Sequence, residues 1–91
     1  MATKKVDIKI DTGAARWWIA LEPSNKEFKT PKKEYGPSLE TGIEHLLVYY
    51  VQGKKDKPLK ITVTCDGAEL ARVNRKIGPN GFAYGHKEFT P

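Results

Sequence analysis

A single cysteine, Cys65, is the only thiol in this 91-residue chain. No disulfide within the chain can therefore brace the fold, and no cysteine-rich structural zinc site can form. Long apolar runs are missing too: nothing approaches the ~20 residues that a membrane-crossing helix requires. The opening MATKKVDIKI has lysines but no apolar stretch behind them long enough for a secretory signal. An Asn-x-Ser/Thr glycosylation acceptor is also absent. Together these absences set the expectation of a cytoplasmic protein without membrane insertion.

Catalytic signatures are equally scarce. Residues 78–85, GPNGFAYG, lack the spacing and the terminal Lys-Ser/Thr of a phosphate loop, and read as turn chemistry. His45, Cys65 and His86 are residue types that serve acid–base or nucleophilic chemistry, but nothing in their spacing brings them together. His86 and Glu88 share a strand face yet stand roughly 7 Å apart along it, too far for a proton relay. The expectation is no catalytic residue, no metal and no cofactor, with Cys65 a packed small hydrophobe. No helical periodicity stands out either; Ser38 to Thr41 allows one turn at most before Gly42.

What the chain does have is two-residue alternation. A hydrophobic fraction of 38% suffices for one core because it is concentrated in alternating segments, so a single domain over residues 1–91 is expected. Val6, Ile8 and Ile10 alternate with Asp7 and Lys9. In the next segment Trp17, Ile19 and Leu21 share one face, leaving Trp18 on the other. Residues 23–42, with prolines at 23, 31 and 37, form a long irregular connection anchored by Phe28, Tyr35 and Leu39. Ile43 to Val51 is apolar on both faces: Leu47, Tyr49 and Val51 on one, Leu46, Val48 and Tyr50 on the other. That pattern predicts a central strand covered on both sides, its second cover being the 23–42 connection, the preferred source, or a partner.

After a polar turn at 52–57, Leu59, Ile61, Val63 and Cys65 alternate with Lys60, Thr62 and Thr64, and Asp66-Gly67 marks a hairpin. A strict two-residue turn would pair Ile61 with Arg72 and set Val73 on the wrong face. Either a bulge near Ala71 and Arg72 or a three-residue turn restores the pairing of Ile61 with Val73. A last strand carries Phe82, Tyr84 and His86 on one face. The pattern predicts an all-β fold of about six or seven strands, as a small antiparallel β-sandwich, immunoglobulin-like in one form, or a partly open barrel.

Charge narrows the function classes only a little. The net charge of +5 is spread evenly, with +1, +1, +1 and +2 over residues 1–22, 23–42, 43–67 and 68–91. Only Arg16, Arg72 and Arg75 offer a guanidinium fork among the basic residues, which disfavours a dedicated nucleic-acid face. The aromatic residues are the better signal. Trp18, Tyr50 and Tyr84, with Arg72 as a polar anchor, are the candidate binding residues. The expected role is a noncatalytic protein-interaction or structural module that binds a protein partner or itself. Carbohydrate stacking is the alternative, and weak electrostatic nucleic-acid binding the third.

Overall fold

In the computed structural model, residues 2–30 and 32–91 are described; Met1 of the leading segment and Pro31 of the long connection lie outside them. Among the described residues ten strands follow in order: β1 (Thr3–Lys5), β2 (Asp7–Thr12), β3 (Arg16–Glu22), β4 (Lys26–Lys29), β5 (Glu34–Tyr35), β6 (Ser38–Glu40), β7 (His45–Gln52), β8 (Pro58–Cys65), β9 (Ala68–Lys76) and β10 (Phe82–Phe89). They form three antiparallel sheets, two of four strands in the orders β10-β7-β3-β4 and β5-β2-β8-β9, and a β1-β6 ribbon. Among the described residues no ladder joins the two larger sheets, so no closed barrel forms.

The six long strands are the five alternating segments and the return of the Asp66-Gly67 hairpin. The four short ones raise the count above the six or seven expected, for a physical reason. β1, β4, β5 and β6 are too short and too polar to show alternation; β4 and β5 form because the longer β3 and β2 offer them backbone partners, and β1 and β6 pair with each other. Ser38–Glu40 is accordingly not a helical turn: it pairs with β1, Leu39 opposite Lys4. Exposed Lys4 also donates to Asp66 at 2.9 Å, and this hydrogen bond, with the carboxylate charge behind it, raises the lysine's pKa above its ordinary 10.5.

Both four-stranded sheets turn their apolar faces into one cluster. Ile8, Ile10, Leu59, Ile61, Val63 and Val73 come from one sheet, and Trp17, Ile19, Leu21, Leu47, Tyr49, Val51 and Phe89 from the other. Each fully buried aliphatic side chain stabilises the fold by roughly 1.5–3 kcal/mol. The β8–β9 hairpin keeps its valines inward by one of the two expected devices, a bulge, and not by a three-residue turn. Asp66-Gly67 makes the two-residue turn with Cys65 opposite Ala68, and a bulge at Leu70 then shifts the register. Val63 therefore faces Ala71, and Ile61 faces Val73. Positive φ at Asp66 (53°) and Gly67 (80°) is the geometry that a type I′ turn requires.

The long connection is tied down through Trp17. Its backbone amide donates to Thr30 Oγ1 at 2.7 Å, and its indole Nε1 donates to the Tyr35 hydroxyl at 3.1 Å. Tyr35 in turn donates to the Lys32 carbonyl and stacks on Phe28 with ring centroids 4.4 Å apart. Phe28, Tyr35 and Leu39 thus anchor residues 23–42. The segment does not lie across β7. It extends the edges of the larger sheets as β4 and β5 and then pairs as β6 with β1, so among the described residues the expected second cover of 43–51 from this segment is absent. Proline and charge in the segment suit edges, where backbone groups meet water, better than a covering layer.

Candidate functional site

β7 is the central strand of its sheet, flanked by β3 and β10, and its inward residues His45, Leu47, Tyr49 and Val51 are buried. The opposite face stays open. Strand register lays out that face in four rows, each crossing β3, β7 and β10. Arg16, Gln52 and Phe82 form the first row; Trp18, Tyr50 and Tyr84 the second; Ala20, Val48 and His86 the third; Glu22, Leu46 and Glu88 the fourth. Neighbouring strands run about 4.8 Å apart, so the second row sets three aromatic side chains across roughly 10 Å.

Exposure follows the rows. Tyr84 is 67% and Tyr50 42% exposed, the two large hydrophobics that stand out to solvent among the described residues. Trp18, Leu46 and Val48 are half-buried. Ala20, although 8% exposed, belongs to this outer face and not to the core cluster, shielded by larger neighbours. Phe82 leans against Tyr50 with ring centroids 5.6 Å apart. Between the aromatic row and the Leu46–Glu88 row lies an open hollow floored by Val48 and Gly85 and walled by Trp18, Tyr50, Tyr84 and Glu88.

Charges frame the apolar rows at opposite ends. Arg16 opens β3, and Lys29 of β4 faces Trp18; at the far end Glu22 closes β3, Glu27 of β4 faces Ala20, and Glu88 faces Leu46. All five are exposed. Behind the face, Tyr49 carries the link to the other sheet. Its hydroxyl accepts a hydrogen bond from Arg75 Nη1 at 3.3 Å, and the same nitrogen donates to the Tyr84 carbonyl at 3.2 Å.

Three of the four candidate binding residues therefore meet on one row. The fourth does not: Arg72 sits on β9, opposite Thr62 in the other large sheet, with its guanidinium on Glu69 at 2.8 Å. Sequence reasoning marked Trp18, Tyr50 and Tyr84 singly through alternation. It missed Phe82, Ala20 and the charged ends as parts of the same surface, because the order β10-β7-β3 pairs segments distant in the chain and no local signal specifies it.

The His45, Cys65 and His86 set is dispersed. His45 is buried, its Nε2–H donating to the Glu40 carbonyl at 2.8 Å and its ring stacked on Phe89, while Nδ1 has no partner among the described residues. Cys65 is buried at the end of β8, where its thiol reaches the Lys5 carbonyl at 3.7 Å. His86 stands outward on β10. Among the described residues no three His, Cys, Asp or Glu side chains gather in a metal-holding group. A second concavity, between β2, β5 and β8, is lined by Lys5, Asp7, Lys9, Glu34, Thr62 and Thr64. Its lysines lie near carboxylates, Lys5 at 3.9 Å from Asp7 and Lys9 at 3.6 Å from Glu34. No helix of the described residues is long and apolar enough to cross a membrane.

Comparison with family models, with curated proteins and with solved structures finds no match. The open aromatic face is therefore read on its chemistry alone.

Proposed function

We propose that this chain is a noncatalytic recognition module whose partner is a protein, bound on the outer face of β3, β7 and β10. The observation that carries the reading is the row Trp18–Tyr50–Tyr84, which lies next to Leu46 and Val48 on a sheet face that no other part of the described chain covers. Aromatic residues over aliphatic ones, bounded by charges, are the composition of a protein interface: an apolar centre that loses water and a polar rim that keeps it. The scaffold we infer is a β-sandwich, since the inward faces of both four-stranded sheets contribute to one core cluster. Such a support fixes the aromatic row, because strands hold side chains more rigidly than loops do.

Carbohydrate binding is the second reading, favoured by the same row, since three rings in line offer successive stacking surfaces and Gln52, His86 and Glu88 stand beside them. Leu46 and Val48 count against it, having nothing to offer a sugar hydroxyl. Nucleic-acid binding ranks third. Four of the basic side chains pair with carboxylates, at Lys4–Asp66, Lys5–Asp7, Lys9–Glu34 and Arg72–Glu69, and one end of the open face is acidic.

Site-specific photo-crosslinking tests the assignment. A benzoylphenylalanine introduced at Tyr84 should give protein adducts on irradiation in the source cell, while the same group at Arg72 should not. Glycan-array binding that disappears in Trp18→Ala, with no protein adduct from Tyr84, would transfer the face to the carbohydrate reading. Neither adduct nor glycan binding would end the recognition proposal.

A further inference from the structure

Strand β3 reads Arg16-x-Trp18-x-Ala20-x-Glu22 along its outward face. Reversed, this series exchanges positive for negative at its ends and large for small in its middle. The same reciprocity extends to the neighbouring strands. On β4 the outward pair is Lys29 and Glu27, facing Trp18 and Ala20. On β7 the exposed Tyr50 adjoins the smaller Val48. Over β4, β3 and the middle of β7 the open face thus carries an aromatic ridge next to a lower groove, with a basic end and an acidic end on β3 and β4. A surface of this kind is complementary to itself turned end for end.

We propose that the occupant of the open face is a second copy of this chain, docked face to face about a twofold axis that crosses the strands between the Trp18 and Ala20 rows. The inference rests on the recognition reading above and names its partner. Two facing copies related by a twofold in their plane, perpendicular to the strands, lay each strand antiparallel over its own equivalent. Trp18 then sits over Ala20 of the partner copy, and Tyr50 over the partner's Val48, so each ridge enters the other copy's groove. Arg16 meets the partner's Glu22, and Lys29 the partner's Glu27; symmetry makes each of these contacts twice. The axis parallel to the strands is the poorer solution, because it stacks each row on itself, ridge on ridge and acid on acid.

Size sets the strength of the association. With strands about 4.8 Å apart and rising about 3.3 Å per residue, the four-strand face projects to roughly 400 Å² per copy, about half of the ~800 Å² that a stable standard interface buries on each side. The dimer is accordingly reversible, and its fraction rises with concentration.

A charge-swap cycle read by sedimentation equilibrium, over concentrations from about 10 µM to 1 mM, tests the geometry. The wild-type chain should show a monomer–dimer equilibrium. Arg16→Glu places like charges in both symmetric contacts, as does Glu22→Arg, and each single variant should weaken the dimer by about tenfold or more. The double variant Arg16→Glu/Glu22→Arg restores opposite charges and should regain most of the wild-type association. Both residue changes are at exposed positions, and unchanged far-ultraviolet circular dichroism verifies folding. An isotope-filtered NOE experiment on a mixture of labelled and unlabelled chains should connect the Trp18 indole to the Ala20 methyl across the dimer. A chain that stays monomeric to 1 mM overturns the inference, as does a dimer that both single charge reversals leave intact. Tyr84 adducts to a different protein from such a monomer would leave the recognition reading standing and remove only the second copy as its partner.

Discussion

Replacing Gly85 by alanine tests how tightly the face is held from behind. Gly85 lies opposite Tyr49 in the β10–β7 ladder, and a Cβ added there would stand 2.8 Å from the Tyr49 hydroxyl and 3.1 Å from its Cζ. The tyrosine is 5% exposed, with core packing around its ring and Arg75 on its hydroxyl, so it cannot swing aside without loss. Overpacking of this kind costs about 1–3 kcal/mol, and the reduced freedom of the unfolded chain returns about 0.4–1 kcal/mol. The net destabilisation is therefore about 1–2 kcal/mol, a shift of roughly 1 M in the urea midpoint for a small domain. Tyr49→Phe in the same background removes the atom at 2.8 Å and should recover part of the loss. The double-mutant cycle then shows a favourable coupling of about 0.5 kcal/mol or more. An alanine variant as stable as wild type, or a cycle without coupling, refutes the close packing of Gly85 on Tyr49.

Gly53→Ala probes a second close approach, where an added Cβ would stand 2.9 Å from Ala14 Cα and 2.9 Å from Ile77 Cδ1; because one of these is backbone, a loss of about 1–3 kcal/mol is expected in thermal or urea melts. Tyr84→Ser, at a side chain 67% exposed, should change stability by less than about 0.5 kcal/mol while weakening association or partner capture. Ile61→Ala, on the core side of β8, should cost about 2–5 kcal/mol by urea unfolding, so that the two variants separate the recognising face from the packed one.

Legibility in the sequence followed the range of the interactions. Alternation located β2, β3, β7, β8 and β10, because the period of two is local, and β9 followed as the return of the Asp66-Gly67 hairpin. It placed Trp17 inward and Trp18 outward on the same ground. Asp66-Gly67 announced its hairpin, and the need to keep Val63 and Val73 inward required a register correction, which the fold makes at Leu70. Short strands were not legible, since a two-residue strand such as β5, paired with Ile8 and Lys9, is too short to show alternation. The two-sided apolar pattern of 43–51 was legible but misread. It reflects a strand buried on one face and only partly buried on the other, where the sequence suggested a cover from residues 23–42 first and from a partner second. The row Trp18–Tyr50–Tyr84 needs the order of three strands, and that order is decided by packing among distant segments.

Hydroxyl-radical footprinting addresses most directly the claim that this face is open in the isolated chain and covered when the protein works. In dilute purified protein Trp18, Tyr50 and Tyr84 should oxidise while Trp17 is spared. In the source cell, or at concentrations that fill the dimer, the three should lose reactivity together, with exposed side chains of the other large sheet unchanged. Equal oxidation of the three under all conditions, or protection of Trp18 and Tyr84 already in the dilute monomer, would contradict the account.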